Sequence, residues 1–128
     1  MRKARDWYFR EFHPENMADI NNAMFSEHSG HLRMIMTYWD MAAALVNHGA
    51  INIDLFTDTN GEHFSAFSKL EPLLGEMRSN YGPHVLVNLE KLIDATPDGR
   101  ARVAAIRERM KGIRAEMAGR QSKAAQQG

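Results

Sequence analysis

The chain has 128 residues, 44% of them apolar and 25% charged, a length that supports one hydrophobic core and a composition that excludes wholesale disorder. It contains no cysteine, which removes disulfide staples, thiolate metal sites and a cysteine nucleophile together. Formal net charge is zero, but residues 1–97 hold 8 Lys/Arg against 13 Asp/Glu whereas residues 98–128 hold 8 against 3, so an acidic body carries a basic end.

Met1-Arg2-Lys3-Ala4-Arg5-Asp6 leads into aromatics and charge, not into the apolar stretch of a secretory signal. The longest uninterrupted apolar run, Met41 to Val46, is far below the roughly 18 residues of a membrane span. Arg2 to Phe12 reads as a first helix with Trp7, Tyr8 and Phe12 available for packing, and His13-Pro14 ends it because a residue before proline avoids the helical region. Asn16 is placed to cap a second helix through about Phe25, with Asp19 as the acid three residues on.

From Ser29 to His48, Leu32, Ile35, Met36, Tyr38, Trp39, Met41, Ala42, Leu45 and Val46 cover most of the circumference, the pattern of a helix buried in the middle of a fold. In that reading Met34, Met36 and Met41 are adaptable core filler. Gly49 supplies a left-handed stop, with Ala50-Ile51 folding back as its hydrophobic clasp. A short helix follows at Ile53 to Phe56, and Asp58-Thr59-Asn60-Gly61 is turn chemistry.

Phe64, Phe67, Leu70, Leu73, Leu74 and Met77 then recur at three and four, a helix that Pro72 should bend by removing one backbone donor. Pro83 is expected at the first position of the next helix, whose Val85, Leu86, Leu89, Leu92 and Ile93 face inward. Thr96-Pro97-Asp98-Gly99 punctuates before a last helix at Arg100 to Gly119. No 20–50-residue repeat marks a solenoid. The expected architecture is all-α: one compact bundle of about five to seven helices around a buried central helix. It comprises a helical body at 1–97, a basic C-terminal helix at 98–120 packed on the body or on a partner, and a disordered tail at 121–128.

The last helix carries the sharpest pattern, Val103, Ile106, Met110, Ile113 and Met117 at 3-4-3-4 spacing, a narrow seam that fits one partner helix. A parallel self-paired coiled coil would set Arg109 against Arg114, so an acidic surface is the better match, either this chain's own body or another protein. The basic face of Arg107, Lys111 and Arg114 is also the footprint a nucleic acid would need, although no helix-turn-helix, zinc finger or RNA-recognition signature accompanies it. Asp40 interrupts the apolar Tyr38-Trp39-Asp40-Met41-Ala42 stretch. A buried carboxylate there must reach a cation or a helix end, or mark a pocket.

Six histidines, His13, His28, His31, His48, His63 and His84, show no His-Glu-x-x-His or repeated Glu-x-x-His arrangement, so no metal or cofactor is assigned. A calcium loop centred on Gly61 would put Phe56 and Phe67 where carboxylates are required. Phosphate-loop, dinucleotide and serine-nucleophile motifs are missing, and no catalytic residue is assigned.

Tyr38-Trp39-Asp40-Met41-Ala42-Ala43-Ala44-Leu45-Val46-Asn47-His48-Gly49-Ala50-Ile51, then Leu55-Phe56, Leu70-Glu71-Pro72-Leu73-Leu74 and Tyr81-Gly82, resembles a family of short uncharacterised bacterial all-helical proteins, a domain of unknown function. The likeness spans about residues 4–94. Some members carry an amino-terminal membrane anchor, which this chain departs from, and its basic last helix lies beyond the likeness. The family implies packing and no activity. The functional expectation is a non-catalytic helical protein-interaction or regulatory module in the cytoplasm, with a lost or processed anchor left open. Rival expectations are a nucleic-acid-binding protein using the basic helix and a metal-dependent or pocket enzyme around Asp40 and the histidines.

Overall fold

The computed structural model describes residues 1–127. The first helix, α1 (Arg2–Arg10), presents Ala4, Trp7 and Tyr8 to the interior and stops ahead of Pro14. Asn16 then accepts the Asp19 amide at 3.0 Å while the Asp19 carboxylate accepts the Glu15 amide at 2.8 Å, a reciprocal cap that starts α2 (Met17–Met24).

The long α3 (Ser29–Asn47) ends as its glycine requires. Gly49 has φ +83°, and the Gly49 and Ala50 amides return to the carbonyls of Val46 and Leu45 at 3.0 and 2.9 Å. Asn52 next accepts from the amides of Asp54 and Leu55, starting α4 (Ile53–Thr59). That helix runs one turn beyond the expected Phe56, with the Thr57 and Thr59 hydroxyls bonded back to the carbonyls of Ile53 and Leu55, and only Asn60-Gly61 remains as the turn.

Pro72 bends the following stretch as expected. It splits into α5 (Glu62–Leu70), a 3-10 turn at Glu71–Leu73 and α6 (Leu74–Tyr81). Pro83 does not open the next helix. α7 (Val87–Ala95) starts four residues later, after a turn in which Leu86 adopts φ +53°. The turned chain lets the consecutive side chains of Val85 and Leu86 both bury, and Arg78 of α6 holds it by donating from Nε to the Val85 carbonyl at 3.0 Å.

The last helix, α8 (Gly99–Gln127), begins against α7: a Cβ on Gly99 would lie 1.9 Å from the Ile93 carbonyl oxygen. It continues beyond the expected end at Gly119, through most of the stretch expected to be a disordered tail, and Gly128 lies outside the described residues.

These eight helices, or seven if the bent α5–α6 rod is taken as one, leave no strand among the described residues. α3 is packed by α1, α2, α4 and α7, and α8 lies on α5 and α7. Leu32, Ile35, Trp39, Ala43 and Val46 of α3 meet Tyr8, Ile20, Phe64, Phe67, Leu89, Leu92 and Ile93 in one core. The central helix is not enclosed on every side, however. Met34, Tyr38, Met41 and Leu45 are 42–54% exposed, which corrects the expectation that Met34 and Met41 fill the core. The helices that pack α3 cover one side of it, and its apolar circumference is wider than the cover they supply.

Candidate functional site

The first turns of α8 belong to the body. Val103 is fully buried and Ile106 is partly so. Arg100 binds Asp94 at 2.6 Å, Glu71 at 2.8 Å and Glu90 at 2.9 Å, and the Asp94 bond, with the other two, holds its guanidinium well above the ordinary range. Burial works against ionised Glu90, but hydrogen bonds from Arg100 and Arg78 outweigh it and keep that carboxyl below its usual range. Arg107 donates to the Ser68 carbonyl at 2.9 Å and to Glu71 at 2.5 Å, and the Arg102 guanidinium lies 4.2 Å from the Phe64 ring centroid.

The seam then leaves the body. Met110 is half-buried at the rim, Ile113 is 49% exposed and Met117 is 55% exposed. From residue 115 to residue 126 every side chain faces outward. The Val103-to-Met117 pattern therefore divides into a core half and an unpartnered half. About three turns of unsupported helix are marginal in water, since isolated helices shorter than roughly 12–15 residues gain too little to offset nucleation.

A second apolar surface lies on α3 and α4. Met34, Tyr38, Met41 and Leu45 follow a 4-3-4 spacing along α3, and Leu55 of α4, 59% exposed, stands beside them. Tyr38, Met41, Leu45, Ile51 and Leu55 line a shallow groove of about 350 Å³, and α4 exposes Asp54 and Asp58, next in sequence to the lining residues Leu55 and Thr59. The sequence contains this stripe plainly. Apolar spacing alone implies burial there, because it does not say which residues find a neighbour.

Asp40 reaches a helix end. Its carboxylate accepts the Leu89 amide at 2.9 Å and Asn88 Nδ2 at 3.1 Å, capping α7 from the adjacent α3 where Leu86 offers no side-chain cap of its own. Asn47 Nδ2 adds a bond to the Asn88 carbonyl at 2.9 Å.

The histidines are scattered over different tasks. His28 stacks on Trp7 with centroids 5.0 Å apart and His31 lies beside it, whereas His63 is buried among Trp39, Phe56 and Phe64 with neither ring nitrogen bonded. Burial, reinforced by Arg102, pushes His63 down to about 4. Among the described residues no three His, Asp or Glu side chains gather as a metal would require.

The basic face forms a third feature. Arg107, Lys111 and Arg114 line one cleft of about 470 Å³ with His13 and Pro14 from the α1–α2 loop and Ser68, Lys69, Pro72 and Leu73 from the bent rod. His13 and Lys69 were not singled out as partners of that face from sequence. They lie 56 residues apart, and only the packing of α8 on α5 brings them under it.

Together these features define a small all-helical domain in which Arg78, Arg100 and Arg107 tie helices to one another. Residues 1–96 match the family described as Domain of unknown function (DUF4760), and the chain belongs to that family. The matched stretch stops before α8, close to the 4–94 extent of the resemblance visible in the sequence. No curated protein and no solved structure matches the chain. No helix among the described residues is long and apolar enough to cross a membrane.

Proposed function

We propose that this protein is a non-catalytic helical interaction module that pairs with a second copy of itself, the projecting end of α8 in one protomer lying along the α3–α4 groove of the other. The observation that carries this reading is the coexistence, on one chain, of two unpartnered apolar stripes with matching helical spacing: Ile113 and Met117 on a projecting helix, and Tyr38, Met41, Leu45 and Leu55 on a groove. Exposed contiguous apolar surface of this kind marks interaction sites. Charge favours the same pairing, since residues 109–123 carry Arg109, Lys111, Arg114, Arg120 and Lys123 against the single acid Glu116, while α4 exposes Asp54 and Asp58 next in sequence to the groove residues Leu55 and Thr59. Reciprocal exchange buries both stripes twice and closes the assembly as a two-fold dimer. A bacterial, cytoplasmic setting belongs to the same proposal and is tested by fractionating cells that carry the gene.

The nucleic-acid alternative draws less support from the side chains. Of the eight cations in α8, Arg100, Arg107, Lys111 and Arg120 already lie against carboxylates, and Arg102 lies over Phe64. Fewer remain to displace phosphate counterions.

Sedimentation of the intact chain tests the proposal. A concentration-dependent dimer is expected, and Met117→Glu on the helix or Leu45→Glu in the groove should each convert it to a folded monomer whose melting temperature matches that of the wild type diluted below its dimerisation range. A chain that stays monomeric at about 100 μM, a concentration that would reveal even a weak pair, overturns it. So does a dimer indifferent to both substitutions.

A further inference from the structure

The cleft beneath α8 holds more positive charge than its own carboxylates offset. Lys69, Lys111 and Arg114 line it, Arg107 lies at its edge bound to Glu71, and Glu15 is the single acid in its wall. Lys69 is half-buried. Its ammonium donates to the Phe12 carbonyl at 2.8 Å and to Nδ1 of His13 at 2.9 Å, which leaves one N–H uncommitted.

His13 supplies orientation and no charge. Its Nε2 lies 3.1 Å from the Arg10 carbonyl, so that nitrogen carries the proton and Nδ1 is free to accept from Lys69. Burial and then the neighbouring Lys69 hold His13 below its ordinary value, in keeping with a neutral ring. Among the described residues neither Lys69 nor Arg114 has a carboxylate in salt-bridge contact, and burial followed by the proximity of Arg114 lowers Lys69 to about 8. A partly desolvated ammonium with a cation for a neighbour is held at a cost that an anion removes.

The remaining wall is apolar, made by Pro72, Leu73 and Met110, and about 470 Å³ is a volume suited to a small molecule. Two cations without a carboxylate partner, Lys69 and Arg114, with Lys111 beside them on an exposed pair with Glu108, balance a dianion better than a monocarboxylate, and an arginine fork beside two lysines is phosphate-binding chemistry. We propose that this cleft binds an organic phosphate monoester, its dianionic head held by Lys69, Lys111 and Arg114 and its apolar part resting on Pro72, Leu73 and Met110. The inference does not rest on self-association, whose apolar contacts are Ile113 and Met117, although Lys111 and Arg114 lie close to both surfaces.

Calorimetric titration of the full chain with phenyl phosphate and with inorganic phosphate is the test. Phenyl phosphate should bind saturably, one per chain and more tightly than inorganic phosphate. Arg114→Gln and Lys69→Gln should each weaken it about tenfold, the loss expected of a charge-assisted contact, while Met117→Glu leaves it unchanged. Arg114 lies on the half-exposed side of α8, so its variant keeps the test alive if Lys69→Gln fails to fold. Affinity should also fall as pH rises past about 8, where Lys69 loses its proton.

Capture by phosphatidic acid vesicles, absent with phosphatidylcholine and abolished by Arg114→Gln, assigns the ester to a lipid headgroup. Phenyl phosphate binding without such capture assigns it to a soluble metabolite. No saturable heat up to about 10 mM phenyl phosphate at low salt, a limit far weaker than specific sites show, overturns the proposal. Affinity unchanged in Lys69→Gln and Arg114→Gln overturns it equally, as does displacement by a single-stranded oligonucleotide with steep salt dependence.

Discussion

Asp40 and His63 illustrate how a single polar side chain in an apolar setting is accommodated by opposite means. Asp40 is matched to two donors at the start of α7, where the helix dipole also favours a negative charge. Asp40→Ala should therefore cost about 1–2 kcal/mol in urea denaturation, the usual loss for a helix cap, and Asp40→Asn distinctly less because an acceptor oxygen remains. His63 instead gives up its charge. Its folded value of about 4 lies below the ordinary 6.5, so between those limits the unfolded chain takes up a proton that the folded chain refuses. Its contribution to stability is complete above 6.5, is lost as pH falls towards 4 and changes no further below that. The total is about 3 kcal/mol at about 1.4 kcal/mol per pH unit. Comparing melting temperature against pH for the wild type and His63→Leu should show a shallower acid slope in the variant; parallel curves would mean that this ring does not govern the slope.

At the scale of elements, most helix boundaries were set by short-range chemistry, and the exceptions have specific causes. Asn16, Asn52, Gly49 and Pro72 each act through neighbours within about one turn, so their effects could be read directly from the chain. Pro83 misled because its local preference for a first helical position competes with distant bonds from Arg78 and Asp40 that organise residues 85–89 differently. α8 shows a related tension. Gly112 sits mid-helix with open space where a Cβ would be, between the half bound to the body and the half that projects. Gly112→Ala should stabilise the helix by about 0.5–1 kcal/mol, read as greater helical ellipticity and slower amide exchange in residues 108–118. Unchanged exchange would show that the projecting half is already held by a partner.

For the molecule as a whole, the decisive question is which parts of α8 the body needs. Removal of residues 98–128 takes away Val103 and the Arg100 network and should unfold or severely weaken the domain, since a buried valine and several charge-assisted bonds are lost together. Ending the chain after Gly112 spares all of these. That truncation should melt within a few degrees of the full chain, a shift of about 1 kcal/mol or less, while losing self-association. A collapse of the thermal transition in the shorter chain would instead make the projecting turns part of the core's support.

The all-helical class, the bend at Pro72, the glycine stop of α3 and the grouping of Arg107, Lys111 and Arg114 were all legible in the sequence, because helical periodicity, capping and spacing act over a few residues. Tertiary packing alone decided that the Val103-to-Met117 seam is half core and half free, that the apolar circumference of α3 is covered on one side only, and that Lys69 and His13 lie under α8. Apolar spacing records what a helix is able to bury. Whether a neighbour arrives depends on how many helices one short chain can bring to that face, and here there are too few.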